Sequence, residues 1–168
     1  MSLIIKDKIQ ELKIGYPTVS DKYNVSGAVL AGTTPVQFGQ LVKFSGTKGY
    51  FEAITSAVTL DQIAGFVLAT NVKLANEWPG ETVLTQPGEA FNLLVNGFMA
   101  VELDAGATPA QITAKAPVAV ILASGKLTTK DKVAASTIVE LPNVIFTGTY
   151  ENHGTTASPK YVAEVYVK

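Results

Sequence analysis

Turn-forming residues interrupt this sequence at short intervals from residue 24 to its end, and no stretch between them carries a helix-length amphipathic pattern. The runs between the turns are short, apolar and rich in β-branched and aromatic residues, a composition typical of strands. Leu41–Phe44 and Tyr50–Ile54, for example, flank the turn sequence Ser45–Gly49 as in a hairpin. The spacing predicts an all-β fold, a compact barrel or sandwich of short antiparallel strands.

The same pattern predicts further strands and hairpins along the chain. Gly97 lies within the longest apolar run and predicts a bulge or bend there. Thr108 and Pro109 are suited to cap and begin one helical turn before Ala114, so at most one or two short helical turns are expected. The other predicted strands are Gly65–Ala69, Thr82–Thr85 in a hairpin with Phe91–Leu103, Val118–Leu122 with Leu127–Thr129, and Val144–Tyr150 with Tyr161–Val167.

The first 24 residues differ in composition from the rest of the chain. They carry seven charged residues but only one of the 14 glycines. This change predicts an N-terminal arm over residues 1–24 and a β domain over residues 25–168. Ile5, Ile9 and Leu12 recur at helical spacing, but the stiff isoleucines also suit an extended arm, so both conformations stay open. Because so short a segment is not stable alone, its apolar side chains must pack on their own domain or on another chain.

Composition argues against several classes of function. The chain has no cysteine, no arginine and a single histidine, His153, so it lacks most of the usual nucleophiles, general bases and metal ligands. His153 lies in a polar loop, where solvent exposure is the usual state, and no Gly-x-Ser-x-Gly motif occurs. A net charge of −1 without arginine argues against nucleic-acid binding, and no uncharged stretch is apolar enough for a membrane span. The sequence predicts no enzyme activity, catalytic residue, metal site or cofactor.

Trp78 is the single tryptophan and precedes the turn residues Pro79 and Gly80. An exposed indole can stack on a sugar ring, which keeps a carbohydrate-binding or hydrolytic β module as an alternative. We favour a position at a domain edge or interface. The candidate partner-interface residues are Leu3, Ile4, Ile5, Ile9, Leu12, Ile14, Tyr16 and Trp78.

Several segments of turns and strands resemble those of one family. They are Ala28–Gly32 leading into Val36–Val42, Gln62–Val67, Trp78–Val83, Phe91–Leu103 and Leu141–Tyr150. Over residues 25–168 the chain resembles the capsid decoration, or cement, proteins of tailed bacteriophages. The resemblance implies a non-enzymatic virion protein that binds the outer surface of a phage head and stabilises contacts between neighbouring capsid subunits.

The resemblance also implies the partner and the assembly. The partner is the major capsid protein, the protein is a homotrimer made in the host cytoplasm, and the arm reaches the capsid lattice or a neighbouring copy. The alternatives are another virion component, such as a tail or head-fibre piece, and the carbohydrate-binding module.

Overall fold

A computed structural model describes residues 12–18, 23–69, 84–134 and 137–168. The strands are β1 (Tyr23–Leu30), β2 (Val36–Gln37), β3 (Leu41–Phe44), β4 (Tyr50–Ala53), β5 (Ile63–Leu68), β6 (Leu84–Thr85), β7 (Ala90–Glu102), β8 (Pro117–Ile121), β9 (Lys126–Thr129), β10 (Ile138–Asn152) and β11 (Tyr161–Val167). Short 3₁₀ helices span Leu60–Gln62, Pro109–Gln111 and Lys130–Lys132. The all-β prediction is confirmed, and no helix within the described ranges is long and apolar enough to cross a membrane.

Five strands close into a barrel, the first barrel, in the order β1-β4-β3-β5-β7, with β7 returning to β1. Its pairings are antiparallel apart from β1–β4, which is parallel and covers two residue pairs, Val29↔Tyr50 and Leu30↔Phe51. Because successive side chains of a strand point to opposite faces, one face of each strand fills the interior. The interior residues are Ala28, Leu30, Val42, Phe51, Val67, Phe91 and Leu93, with Val36 and Phe38 packed against them.

The sheet continues from β7 into a second lobe, in the order β7-β11-β10-β8-β9. It curls until Leu103, just after β7, forms a bridge with Leu127 of β9. The Asp104 N–H donates to the Leu127 carbonyl at 2.7 Å in the same place. The inner face of this lobe forms the larger core, in which Phe146 is fully buried. Residues on the outer face of the first barrel complete that core and join the two halves: Leu41, Phe66, Leu68 and Leu94.

β7 runs through both halves. Its first part pairs with β1 and β5, and its last part, from Gly97 onward, pairs with β11. The register with β1 skips Val95, which is an extra residue in β7, and Gly97 has a φ of 133°. A bulge bends its strand and increases the local twist. The irregularity predicted at Gly97 is therefore present, and it allows one strand to serve both halves.

Most of the predicted hairpins and the helical turn are confirmed. β3 pairs with β4, β8 with β9 and β10 with β11, all antiparallel. Thr108 occupies the N-cap position of the 3₁₀ helix Pro109–Gln111, with Pro109 as its first residue.

Two details of the strand prediction were wrong. β6 pairs with β2 and not with β7, because β1 and β5 already pair with the start of β7. β10 begins at Ile138, six residues before the predicted Val144. The exposed Pro142 lies inside β10, where the register with β8 is irregular. Proline has no N–H to donate, and so it argued against a strand at this point.

The Asp131 carboxylate, which accepts hydrogen bonds from two threonine hydroxyls, connects the 3₁₀ helices Pro109–Gln111 and Lys130–Lys132. Asp131 accepts hydrogen bonds from the hydroxyls of Thr108, at 2.6 Å, and Thr129, at 2.5 Å. The Thr108 N–H in turn donates to the Thr129 hydroxyl at 2.9 Å. These bonds from Thr108 and Thr129, together with Lys132 at 3.3 Å, lower the pKa of Asp131 to about 2. The ionised carboxylate therefore holds the Thr108 turn against the end of β9.

We expect the substitution Asp131→Asn to destabilise the protein in a pH-dependent way. Because the folded pKa is below the ordinary aspartate value of 3.8, the carboxylate stabilises the fold fully above that pH and loses its contribution as pH falls toward 2. The site is partly exposed, so we expect a difference of about 1 kcal/mol at neutral pH. Urea denaturation of both proteins from neutral pH down to about pH 2 measures it. A difference that stays constant over that range would contradict the assignment.

Candidate partner-binding surface

The structure describes three of the eight predicted interface residues. Leu3, Ile4, Ile5, Ile9 and Trp78 lie outside the described residues. Leu12 is 6% exposed and forms a small cluster with Ala100 and Val162, and Ile14 packs against that cluster. Tyr16 is half-buried. Leu12 and Ile14 therefore pack on their own chain, which is one of the two alternatives that the sequence left open. Their part in a partner interface stays a prediction, as does the division at residue 24.

Backbone hydrogen bonds hold residues 12–18 along β7. The Gly15 N–H donates to the Ala100 carbonyl at 2.7 Å, and the Ala100 N–H donates to the Tyr16 carbonyl at 3.1 Å. The Thr18 N–H continues this contact to the Phe98 carbonyl at 3.2 Å. β11 pairs with the same part of β7. This part of β7 therefore has partners on both edges, and residues 14–18 supply one of them.

Gly15 permits the close approach of this segment to the first barrel. Its φ is 80°, a left-handed value that side chains disfavour. A Cβ at Gly15 would overlap the Cβ of Phe38 and lie 2.9 Å from the Gly39 nitrogen. Gly39, with a φ of 79°, faces it, and a Cβ there would lie 2.9 Å from Ile14 Cγ2. The contact therefore requires glycine on both sides.

The substitution Gly15→Ala should destabilise the protein far more than Gly46→Ala. Both positions have positive φ, at 80° and 87°, so each variant loses about 1 kcal/mol from backbone conformation. Gly46 has no atom within 4 Å of an added Cβ. The overlap with Phe38 should cost Gly15→Ala a further 1–3 kcal/mol or so. Chemical denaturation of the two variants measures the difference, and equal losses would show that residues 12–18 do not pack as described.

Glu151 connects the start of this segment to the loop after β10. Its Oε2 accepts the Leu12 N–H at 3.0 Å and lies 2.9 Å from His153 Nε2. The hydrogen bond with His153, followed by that from Leu12, lowers the pKa of Glu151. The single histidine is in the exposed loop that the sequence predicted, with its ring held by this carboxylate.

Replacing this carboxylate should remove a pH-dependent part of the stability. Because the folded pKa of Glu151 is below the ordinary glutamate value of 4.5, the ionised group stabilises the fold above that pH and loses its effect as pH falls. Glu151→Gln should therefore destabilise the protein at neutral pH, and its difference from the wild type should shrink as pH falls below 4.5. Glu140→Gln, which removes the carboxylate of an exposed ion pair with Lys130, is the matched control. Parallel denaturation profiles for wild type and Glu151→Gln would refute this role.

The β3–β4 hairpin of the first barrel ends in a solvent-exposed turn that is flanked by two exposed aromatic residues. Phe44 is 55% exposed and Tyr50 is 43% exposed, and all residues from 46 to 50 are exposed. Phe44 lies opposite the buried Phe51, whereas Tyr50 is the next residue along β4 and therefore points to the other face. Each face of the hairpin end thus presents one aromatic ring to solvent.

Contacts below the hairpin end hold it in place. The ring centroids of Phe44 and Phe51 are 5.6 Å apart, and Phe51 meets Phe91 edge-on at 6.2 Å inside the barrel. In the turn, the Ser45 hydroxyl and N–H both donate to the Tyr50 carbonyl, at 2.9 and 3.2 Å. A rigid aromatic residue loses little conformational entropy on binding and is a common centre of binding energy in interfaces. We name Phe44, Tyr50 and the turn between them the aromatic hairpin end.

The aromatic hairpin end is not among the interface residues predicted from the sequence. Phe44 and Tyr50 flank a recognisable turn, but strand alternation alone cannot distinguish a buried aromatic residue from an exposed one. The signal that could have identified them is the length of the turn, Ser45–Gly49, which places both aromatic residues beside a solvent-exposed loop.

A cleft of about 330 Å³ lies where the first barrel meets the second lobe. Gln37 and Gln40 line one side, and Lys126 with the ion pair of Glu102 and Lys160, 3.1 Å apart, lines the other. In the part of the chain that the structure describes, no three His, Cys, Asp or Glu side chains are grouped as metal ligands would be. The cleft offers hydrogen-bonding groups and exposed charges.

Comparison with known proteins identifies a family. The chain matches Phage_cement, described as structural cement protein (E217 gp24/Pam3 gp6), over residues 14–167. A solved chain from "The capsid of Myoviridae Phage XM1" has a similar fold, with a TM-score of 0.62. It is 18% identical, and the alignment covers 97% of this chain and 96% of that chain, so this likeness shows the fold alone. No curated protein matches the chain.

The family match begins at Ile14, inside the segment that packs along β7, and ends at Val167, the last residue of β11. It therefore includes both halves of the fold and the residues that bond to Ala100. The chain belongs to the phage structural cement protein family, and its role is that of a structural, capsid-associated protein of the virion.

Proposed function

We propose that the protein binds the outer surface of an assembled phage capsid, as a homotrimer, and stabilises contacts between neighbouring copies of the major capsid protein. It is made in the host cytoplasm and joins the head after the capsid subunits have assembled. The observation that carries the proposal is the aromatic hairpin end, a solvent-exposed turn with an exposed ring on each face of the hairpin.

A hairpin with one aromatic residue on each face suits a site between two protein surfaces. Phe44 on one face and Tyr50 on the other allow the hairpin end to contact two capsid subunits at once. Burial of each ring removes apolar surface from water, which is the main favourable term in protein association. A capsid subunit that is not assembled offers only one of the two surfaces, so we expect preference for the assembled lattice.

Charge plays a small part in this binding. The net charge is −1 and the chain has no arginine, so no strong field steers it to a charged partner. The lysines of the described ion pairs, such as Lys43 with Glu52 at 3.5 Å, are already partnered within the chain. A homotrimer presents three copies of the same hairpin, so modest contacts combine into tight binding through avidity.

Co-sedimentation with assembled capsids tests the proposal. We expect Phe44→Ser and Tyr50→Ser each to weaken binding about 30-fold, since a central aromatic contact contributes about 2 kcal/mol. Leu60→Ser and Val133→Ser are matched controls, because these residues are 39% and 43% exposed but lie outside the hairpin. The controls should bind like the wild type.

The outcomes separate the parts of the proposal. Unchanged binding by the two hairpin variants would exclude the hairpin end as the contact. Absence of binding by the wild-type protein would refute the capsid-surface function and favour another virion component. A deletion of residues 2–11, which spares the bonds made by residues 12–18, tests the N-terminal arm separately. The carbohydrate-binding alternative rests on Trp78, which lies outside the described residues.

A further inference from the structure

One edge of β1 has no strand beside it among the described residues. β1 pairs with β7 from Tyr23 to Val29, but its other edge meets β4 only at Val29 and Leu30. The Val29 N–H points to that second edge, where it donates to the Gly49 carbonyl at 3.0 Å. Because backbone groups alternate in direction along a strand, the N–H and C=O of Val25 and Gly27 point the same way, beyond the end of β4.

The faces of β1 are open at the same place. Val25, Ser26 and Gly27 are all exposed, and Val25 is 44% exposed. Since successive side chains point to opposite faces, three exposed residues in a row mean that neither face is covered. An added Cβ at Gly27 would meet no atom within 4 Å. We name residues 25–28 with this free side the open β1 edge.

Among the residues that the structure describes, nothing protects the open β1 edge against strand addition. Proteins generally place charges, prolines or covering segments along a free strand edge. The sequence of β1, YNVSGAVL, contains neither a charged residue nor proline. Val95, the extra residue of the β7 bulge next to Val25, is 52% exposed and adds apolar surface. An edge of this kind can bind an extended peptide by backbone pairing.

We propose that the open β1 edge binds the N-terminal residues Leu3–Ile9 of a second copy of this chain as an added β-strand. This inference goes beyond the proposed capsid binding, because it concerns contacts between copies of the protein itself. The backbone of the added strand pairs with the free groups of Val25 and Gly27, and its aliphatic side chains contact Val25 and Val95.

The direction of the chain favours a second copy as the source of the strand. Residues 14–18 run along β7 from Ala100 to Phe98 and so approach β1 as the chain proceeds. Leu12 therefore lies at the opposite end of β7, where Glu151 accepts a hydrogen bond from the Leu12 N–H. To reach the β1 edge of its own chain, the segment would have to reverse direction at Leu12 and run back past residues 14–18.

The composition and length of the segment fit this contact. Leu3, Ile4, Ile5 and Ile9 are aliphatic, and isoleucine favours strands. Eleven residues precede Leu12, and an extended chain of that length reaches about 36–40 Å. The arm and the edge are different surfaces, so the contact is head-to-tail. Such contacts close into a ring when the rotation between copies allows it, as in a trimer.

Cross-linking between two single-cysteine variants tests the inference, since the chain has no cysteine of its own. Ile5→Cys protein is mixed with Ser26→Cys protein that carries a size tag, and a short flexible bismaleimide is added without capsid. Docking holds the two thiols at a high effective concentration, so we expect at least about ten-fold more mixed dimer than in the control. The control replaces Ser26→Cys with Ser56→Cys, at an exposed residue after β4.

A charge on the edge provides a second test. Val25→Lys, added to the Ser26→Cys protein, should abolish the mixed dimer while leaving the melting temperature unchanged, because Val25 is already exposed. Equal yields for the Ser26 and Ser56 variants would overturn the inference. A chain carrying both Ile5→Cys and Ser26→Cys that cross-links only within itself would also overturn it. Because capsid is absent, neither result depends on the proposed capsid binding.

Discussion

The continuity of β7 through both halves of the molecule is the constraint on which the rest of the structure depends. Consecutive residues of this strand supply two cores, because Leu93 fills the first barrel and Leu94 faces the second lobe. A slip of one residue in the register would exchange these two side chains. The extra residue Val95 and the bend at Gly97 then turn the strand toward β11. Both the first barrel and the second lobe therefore require the irregularity in the middle of β7.

Residues 12–18 complete this arrangement. Without them, the end of β7 would pair with β11 on one edge and leave the backbone groups of Ala100 without their partners at Gly15 and Tyr16. Buried backbone groups without partners are costly, so this part of the N-terminal segment is a structural element of the fold. The paired glycines 15 and 39 set the distance between the segment and the first barrel.

The sequence predicted the parts of the fold that depend on local chemistry. The hairpins follow from turn residues between apolar runs, and the helical turn at Pro109 follows from its cap. Pairings between distant strands, such as β2 with β6, depend on which edges remain free and could not be read from the turns. The start of β10 was missed because Pro142 normally excludes a strand.

The candidate site was less predictable for a related reason. Leu12 was chosen for its apolar character, and that same character buries it against Ala100 within the chain. Phe44 looks like a core residue in the sequence, but it lies beside an exposed turn and is 55% exposed. The family resemblance was informative because it used the order of turns and strands over most of the chain, and the match over residues 14–167 confirmed it.

The short parallel contact between β1 and β4 gives the first barrel a weak seam. Two residue pairs close the ring there, whereas β1 and β7 are joined over seven. Local openings occur where few hydrogen bonds must break, at a free energy below that of global unfolding. The ring should therefore part at this seam first, with β4 separating from β1 while β7 and the core around Phe146 stay packed. In mechanical terms the molecule has a rigid body and a single weak joint, which is the contact between β1 and β4.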